Sequence, residues 1–227
     1  MYKLSPSDFA YLWEECKLCY YLKVKHGIYQ PSMPMPGVFG AINTRLQGTL
    51  IGKDLRTLSK VLPEGIVETQ EGWVESVPVP GTSVFIKGKY DLLARRPDGS
   101  YLLIDLKISQ PHEDKIAKYR TQLGAYNFAL ANPARGRSVK VSGSGLLILY
   151  PDAVSFKDGK AVLDFPPTWL ELPQGEDGFL SLVKEVDKLL VGPMPDEGKE
   201  CRWCQYRHVG EKLAHEKQEG VQLDIPF

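Results

Sequence analysis

Two apolar runs around one turn constrain this chain more than any other stretch. Residues 84–94 and 101–108 are rich in aliphatic, β-branched and aromatic side chains, and Pro97 with Asp98-Gly99 lies between them. That pattern predicts a β-hairpin. Asp91 falls in the first strand; Asp105 and Lys107 fall in the second. Ionised groups among apolar neighbours are costly unless something compensates them. A divalent cation would compensate both carboxylates. Lys107 follows Asp105 by two residues, so both side chains leave the same strand face. Two carboxylates and an ammonium on one spot can hold Mg²⁺ and orient a water against a phosphate. Taken alone, Asp105 and Lys107 read equally as an exposed ion pair. The next segment favours the sharper reading. A helix is expected over 112–131, and along it Lys115, Tyr119, Gln122 and Tyr126 are spaced four, three and four residues apart. Such residues share one helix face. This polar stripe suggests a surface built to grip something charged.

Asp91, then Asp105-Leu106-Lys107, then Gln122-Leu123-Gly124-Ala125-Tyr126 resembles the PD-(D/E)XK nuclease superfamily. The set most resembles RecB-type nuclease domains and their CRISPR-associated exonuclease relatives, which carry a Gln-three-residues-Tyr signature. The resemblance implies an α/β restriction-endonuclease-like core, a central mixed sheet flanked by helices. It implies a divalent-metal-dependent deoxyribonuclease of exonuclease type, working in DNA repair, recombination or CRISPR adaptation. Asp91, Asp105 and the backbone carbonyl of Leu106 would bind Mg²⁺ or Mn²⁺. Lys107 would position or help deprotonate the attacking water. Gln122 and Tyr126 would orient the DNA or the lysine, and Lys115, Lys118 and Arg120 would contact phosphates. In RecB-like nucleases an earlier helix carries a His or Glu ligand; here Asn43 or Thr44 stands there, and neither is a good ligand. That departure keeps a second reading open: a catalytically inactive DNA-binding or scaffold subunit of a larger complex.

The 227 residues carry 28 basic and 28 acidic side chains. No global field therefore draws the chain to nucleic acid, and binding must come from local patches. One nuclease-like domain is expected over 1–227, with a core at about 38–165, cysteine-bearing ends at 5–27 and 192–210, and a tail at 218–227. No stretch has the length of a membrane span and the N-terminus is no signal peptide, so the expected location is cytoplasmic. The partners expected are single-stranded DNA or duplex ends, and proteins of a repair or CRISPR complex.

Other elements follow from local signals. Ser5, Pro6 and Asp8 start a helix expected to run to about residue 25 and end near Gly27. Three prolines make 28–37 an extended segment, and a helix is expected over 38–58. A strand is expected over 66–79; Glu71 is its candidate contributor to the metal site, although Glu68, Glu71 and Glu75 read more simply as solvent-facing. Residues 135–140 form a small basic loop. A buried strand over 141–150, a hairpin over 153–165 turning at Asp158-Gly159 and an amphipathic helix over 179–191 complete the pattern.

The chain has four cysteines, paired as Cys16 with Cys19 and Cys201 with Cys204. In a reducing compartment such pairs are more often metal ligands than disulfides. Four thiolates close a tetrahedral site, which would staple the two ends together in a structural role. Zinc and an iron–sulfur cluster both suit thiolates, and free buried thiols are the plain alternative. The resemblance leans towards a 4Fe–4S cluster, although its usual one-plus-three cysteine distribution is two-plus-two here.

Overall fold

The computed structural model describes residues 1–31, 34, 36–112, 115–173 and 176–218. The tail at 221–227 and part of the proline segment lie outside these described residues. The chain opens with β1 (Tyr2–Leu4), α1 (Pro6–Ala10), α2 (Leu12–Glu15) and α3 (Lys17–His26), then α4 (Gly37–Leu50) and α5 (Leu55–Leu58). Next come β2 (Ile66–Glu75), β3 (Val84–Arg95), β4 (Tyr101–Ile108), α6 (Lys115–Ala131) and β5 (Val141–Leu149). A small hairpin of β6 (Ala153–Lys157) and β7 (Lys160–Asp164) leads to β8 (Pro167–Leu172), α7 (Glu176–Val191) and α8 (Arg202–Gln218).

The central sheet is mixed. β3 runs antiparallel to β2 and β4, β4 parallel to β5, and β5 antiparallel to β8. Parallel neighbours need a crossover, and α6 supplies it between β4 and β5. The near-continuous apolar run of β5 is buried from Gly143 to Leu149, as a central strand covered on both faces must be. Alternate residues of β4 divide between two cores. Leu103 packs with Phe9, Tyr20, Leu123 and Phe179 of α1, α3, α6 and α7. Leu102 and Ile104 pack with Leu50 and Leu55 beneath α4 and α5. The expected α/β architecture, a mixed sheet flanked by helices, is thus present.

One edge of β3 is shared. β1 pairs with it in parallel at Val84, Phe85 and Ile86, and β4 pairs with it from Leu92 to Arg95. The opposite edge belongs to β2 and the residues after it: Ser76 N donates to Ile86 O (2.8 Å) and Val79 N to Val84 O (2.9 Å). Residues 87–91 therefore lie in a gap between β1 and β4, and the candidate site opens there.

The structure departs from the expected elements in several places. The helix expected over 5–25 is three pieces, because Tyr11 leaves helical geometry and Cys16 is extended (φ −161°, ψ 116°). Cys16 nevertheless links two helices: its N–H bonds to Leu12 O and its carbonyl accepts from Tyr20 N, both at 3.0 Å. The helix expected over 38–58 stops at Leu50, where Ile51 leaves the helix and Gly52 takes φ +73°. β2 ends at Glu75, and β1, β8 and α8 are elements the local pattern did not announce. The hairpin at 153–165 forms as expected, with Asp158 (φ 52°) and Gly159 (φ 74°) both left-handed at its turn, the conformation a two-residue I′ loop requires.

Candidate active site

The gap in the sheet brings the predicted acids and lysine together. A cavity of about 510 Å³ is lined by Asp91, Asp105, Lys107, Gln122 and Tyr126, with Lys3, Ser5 and Ser7 from the chain's start and Trp73, Lys87, Gly88 and Lys89 from β2 and β3. Gly88 is required by close approach. A Cβ there would sit 2.8 Å from Pro6 Cδ and 3.1 Å from the Tyr126 ring, so a side chain would push α1 and α6 off the strand.

Each functional side chain has a defined holder. Asp91 Oδ2 accepts the Leu106 N–H at 2.8 Å, which ties β3 to β4 where the ladder has opened. Asp105 Oδ1 accepts from Gln122 Nε2 at 2.9 Å, and Asp105 Oδ2 lies 2.7 Å from Lys107 Nζ. Tyr126 O–H donates to the Lys89 carbonyl at 2.6 Å, capping a strand acceptor that β4 does not reach. Lys107 Nζ sits 4.8 Å from the centre of the Tyr119 ring, and the Tyr119 and Tyr11 hydroxyls are 2.5 Å apart.

Electrostatics follow from burial and crowding. Burial, then the neighbouring Asp105 charge, lifts Asp91 from the usual carboxylate range to about 6, against the pull of Lys107 and the Leu106 N–H. Burial also raises Asp105, while Lys107 and Gln122 favour its ionised form. For Lys107 burial works to remove the charge, but Asp105 and then Asp91 outweigh it and the ammonium is held more firmly than usual. Burial likewise raises the Tyr119 and Tyr126 phenols. Two buried carboxylates that resist ionising together, beside one fixed ammonium, are an all-oxygen donor set deficient in positive charge. That set fits a hard divalent cation.

Asp91 must lose its proton before it can ligate a cation. Apparent Mn²⁺ affinity should therefore rise about tenfold per pH unit up to about pH 6 and level off above it. Calorimetric titration between pH 5 and 8 measures this, and a flat profile through pH 6 would mean either that Asp91 is already ionised at pH 5 or that it is no ligand.

The structure places each of the remaining candidate residues, some of them away from where the sequence puts them. The polar stripe on α6 is not an outward-facing grip: Tyr119, Gln122 and Tyr126 are all buried against the sheet. Gln122 holds Asp105 and Tyr126 holds the β3 backbone, so their hydrogen bonds run to protein groups and not to Lys107. Lys118 and Arg120 are exposed on α6 outside the cavity lining, Lys118 over the Tyr11 ring at 4.0 Å. The Lys115 side chain lies outside the described residues. Glu68, Glu71 and Glu75 are solvent-facing: Glu68 pairs with Arg95, Glu71 with Lys89 at 2.7 Å and Glu75 with Lys87 at 2.6 Å. Asn43 and Thr44 lie on α4 and do not line the cavity. No local signal shows that β1 docks beside β3, so the sequence does not reveal that Lys3, Ser5 and Ser7 line the cavity; Trp73 reaches it from β2.

The four cysteines, far apart in sequence, meet. Their Sγ atoms all lie within 4.8 Å of one another, buried. Cys16 is 3.7 Å from Cys204, and Cys19 is 3.7 Å from Cys201 and 3.8 Å from Cys204. Thiolates about 2.3 Å from one ion at tetrahedral angles are separated by about 3.8 Å. The set therefore fits a single four-coordinate ion. Gly198 N–H donates to Cys16 Sγ (3.4 Å) and Arg207 Nη2 to Cys204 Sγ (3.3 Å). Burial opposes ionisation of Cys16, yet the Cys19 and Gly198 N–H groups bring its thiol down to about 7. Burial pushes Cys19 and Cys204 up.

A family model, the PD-(D/E)XK nuclease superfamily, matches residues 43–209. The chain belongs to this superfamily. The match spans the acids, the lysine, Gln122, Tyr126 and the second cysteine pair; Cys16 and Cys19 precede it. The matched range contains Asp91 and the Asp105-Leu106-Lys107 tripeptide. Among solved structures, the crystal structure of SSO0001 is 17% identical, with 91% of this chain and 84% of that one covered and a TM-score of 0.51. That is a likeness of fold. An alkaline exonuclease (LHK-Exo) from Laribacter hongkongensis is 13% identical over 96% of this chain and 93% of that one, with a TM-score of 0.36. No curated protein matches the chain. Among the described residues no helix is long and apolar enough to cross a membrane.

Proposed function

We propose that this superfamily member is a divalent-metal-dependent, exonuclease-like deoxyribonuclease of the RecB type, acting in repair, recombination or CRISPR adaptation. The convergence of Asp91, Asp105 and Lys107 on one open cavity carries the reading. Asp91 and Asp105, with the Leu106 carbonyl, would hold a Mg²⁺ or Mn²⁺ ion, which would supply Lewis-acid activation of water and phosphate. Lys107 acts as a fixed ammonium. Lying 2.7 Å from Asp105 Oδ2, which favours its charged form, it would stabilise negative charge on the phosphate. Gln122 fixes the Asp105 carboxylate in one orientation. Tyr126 keeps the β3 backbone beneath Asp91 in place. The test is cleavage of end-labelled single-stranded, duplex and covalently closed circular DNA with Mg²⁺ or Mn²⁺. Linear DNA should shorten from its ends and closed circles should persist. Binding without cutting in either metal would favour the second reading, the inactive scaffold, which the want of a His or acid from α4 in the cavity supports.

For the cysteine site the reading is a structural zinc ion. Three sulfur separations of 3.7–3.8 Å, with all four sulfurs within 4.8 Å of one another, support it. A cluster of four irons and four sulfides is larger than one ion and needs its thiolates farther apart. Metal analysis of anaerobically purified protein decides: one zinc per chain is expected, and four irons with a brown colour would reinstate the 4Fe–4S cluster.

A further inference from the structure

Trp73 is 73% exposed. It sits on β2, paired with Lys89 of β3, while the next residue, Val74, is buried in the core. A large apolar ring left in water forgoes burial that a tryptophan usually finds. Its position suggests what the ring is for. Trp73 and Lys87 line the cleft that holds Asp91, Asp105 and Lys107, and both also line a second cavity of about 710 Å³ with Pro133 and Arg135. The two cavities therefore share Trp73 and Lys87.

The second cavity has a fixed floor. Val77 N–H donates to Asn132 O (2.9 Å) and Ala134 N–H to Glu75 O (2.8 Å), so the loop after α6 is laced to the end of β2. Its cations are available. Arg135 is exposed, and among the described residues Lys87 pairs with Glu75 at 2.6 Å, with both side chains over 40% exposed; Glu75 also lines this cavity, and its charge acts on Arg135 as well. Exposed pairs of this kind are weak, so Lys87 can exchange a carboxylate for a phosphate at little cost.

We infer that a single-stranded nucleic-acid segment continuing from the scissile phosphate crosses Trp73 into this second cavity, one base stacked on the indole and its phosphates on Lys87 and Arg135. The inference rests on the proposed nuclease reading and adds a binding subsite to it. The occupant is single-stranded because a base inside a duplex already has both faces stacked, whereas an unpaired base offers one to an aromatic ring.

The test measures oligonucleotide binding by fluorescence anisotropy in an Asp105→Asn background, so that the probe is not consumed. Trp73→Ala should weaken single-strand binding about 5- to 100-fold, and Trp73→Phe should keep most of it. A blunt duplex of the same length should bind both alike. Trp73→Ala should leave the slope of log affinity against log salt unchanged. Lys87→Ala and Arg135→Ala should each reduce it by about 0.7, one lost phosphate contact on a single strand. Binding by Trp73→Ala as tight as its parent, equal losses on duplex and single strand, or no measurable single-strand binding by the parent would each overturn the inference. If the Trp73 effect holds but the native chain cuts no DNA, the stacking subsite stands and the nuclease reading falls. If the chain cuts DNA and Trp73→Ala binds normally, only the subsite falls.

Discussion

Lys107→Ala should lose about 10²- to 10³-fold in cleavage rate while binding Mn²⁺ at least as well as the native chain. The two halves of this expectation separate a catalytic ammonium from a structural one. Removing one preorganised donor from a developing negative charge typically costs two to three orders of magnitude in rate, roughly. Removing Lys107 also strips Asp105 Oδ2 of the cation 2.7 Å away, which frees a carboxylate oxygen for a metal. Asp105 should behave oppositely. Asp105→Asn keeps an oxygen for Gln122 Nε2, although its amide nitrogen then faces Lys107, and it removes a negative ligand; both cation affinity and cleavage should fall. Asp105→Ala is the poorer probe. It orphans the Gln122 amide and leaves Lys107, only 22% exposed, without its partner, a change of the kind that destabilises by about 3 kcal/mol. Metal-dependent hydrolysis retained in both Lys107→Ala and Asp105→Asn would remove the assignment of this site.

The parts of this arrangement that could be read from the sequence are those with local causes. The β3–β4 hairpin is announced by its apolar runs and its turn, where Asp98 accepts the Ser100 N–H at 3.0 Å and Arg96 N–H bonds to Ser100 O at 2.8 Å. Asp91 and Asp105 lie on neighbouring strands of that hairpin, so their meeting is almost a local fact.

What could not be read has no local cause. β1 is three residues long, and only its pairing with Val84–Ile86, some eighty positions away, makes it a strand. Without β1 there is no gap at 87–91, and the contributions of Lys3, Ser5 and Ser7 depend on it. The buried polar stripe of α6 misled for a related reason. Tyr119, Gln122 and Tyr126 have helical spacing whichever way that face is turned, and spacing cannot distinguish a wet face from one buried on polar partners. The break at Cys16 is a third case. Apolar periodicity passes through it without interruption, yet the residue is extended and its thiol joins three others.

The second large effect concerns those thiols, and it should be local. Replacing Cys201 or Cys204 by serine, or stripping the bound ion with a strong chelator, should release the chain's C-terminal end while the sheet stays folded. The contacts on the two sides of the site are unequal. The N-terminal segment does not depend on Cys16 and Cys19: Phe9, Tyr20 and Trp13 are buried in the main core, Phe9 edge-on to Phe179 at 6.3 Å, and β1 is hydrogen-bonded to β3. The other end has little else. Along α8, among its described side chains, only Cys204 is buried, Trp203 and Leu213 are half-buried, and Tyr206 and Val209 are exposed at 71% and 57%. A helix with so little apolar burial does not hold itself in place. Bound zinc in structural sites is worth about 10 kcal/mol or more in apparent binding free energy, far more than those contacts offer. Hydrogen exchange should therefore show residues 198–210 losing protection by several orders of magnitude in Cys204→Ser, with residues 84–108 and 119–130 nearly unchanged. Uniform loss across the sheet would mean that the site anchors the whole fold. Unchanged protection at 198–210 would mean that the four sulfurs hold no ion and that packing alone keeps α8 docked.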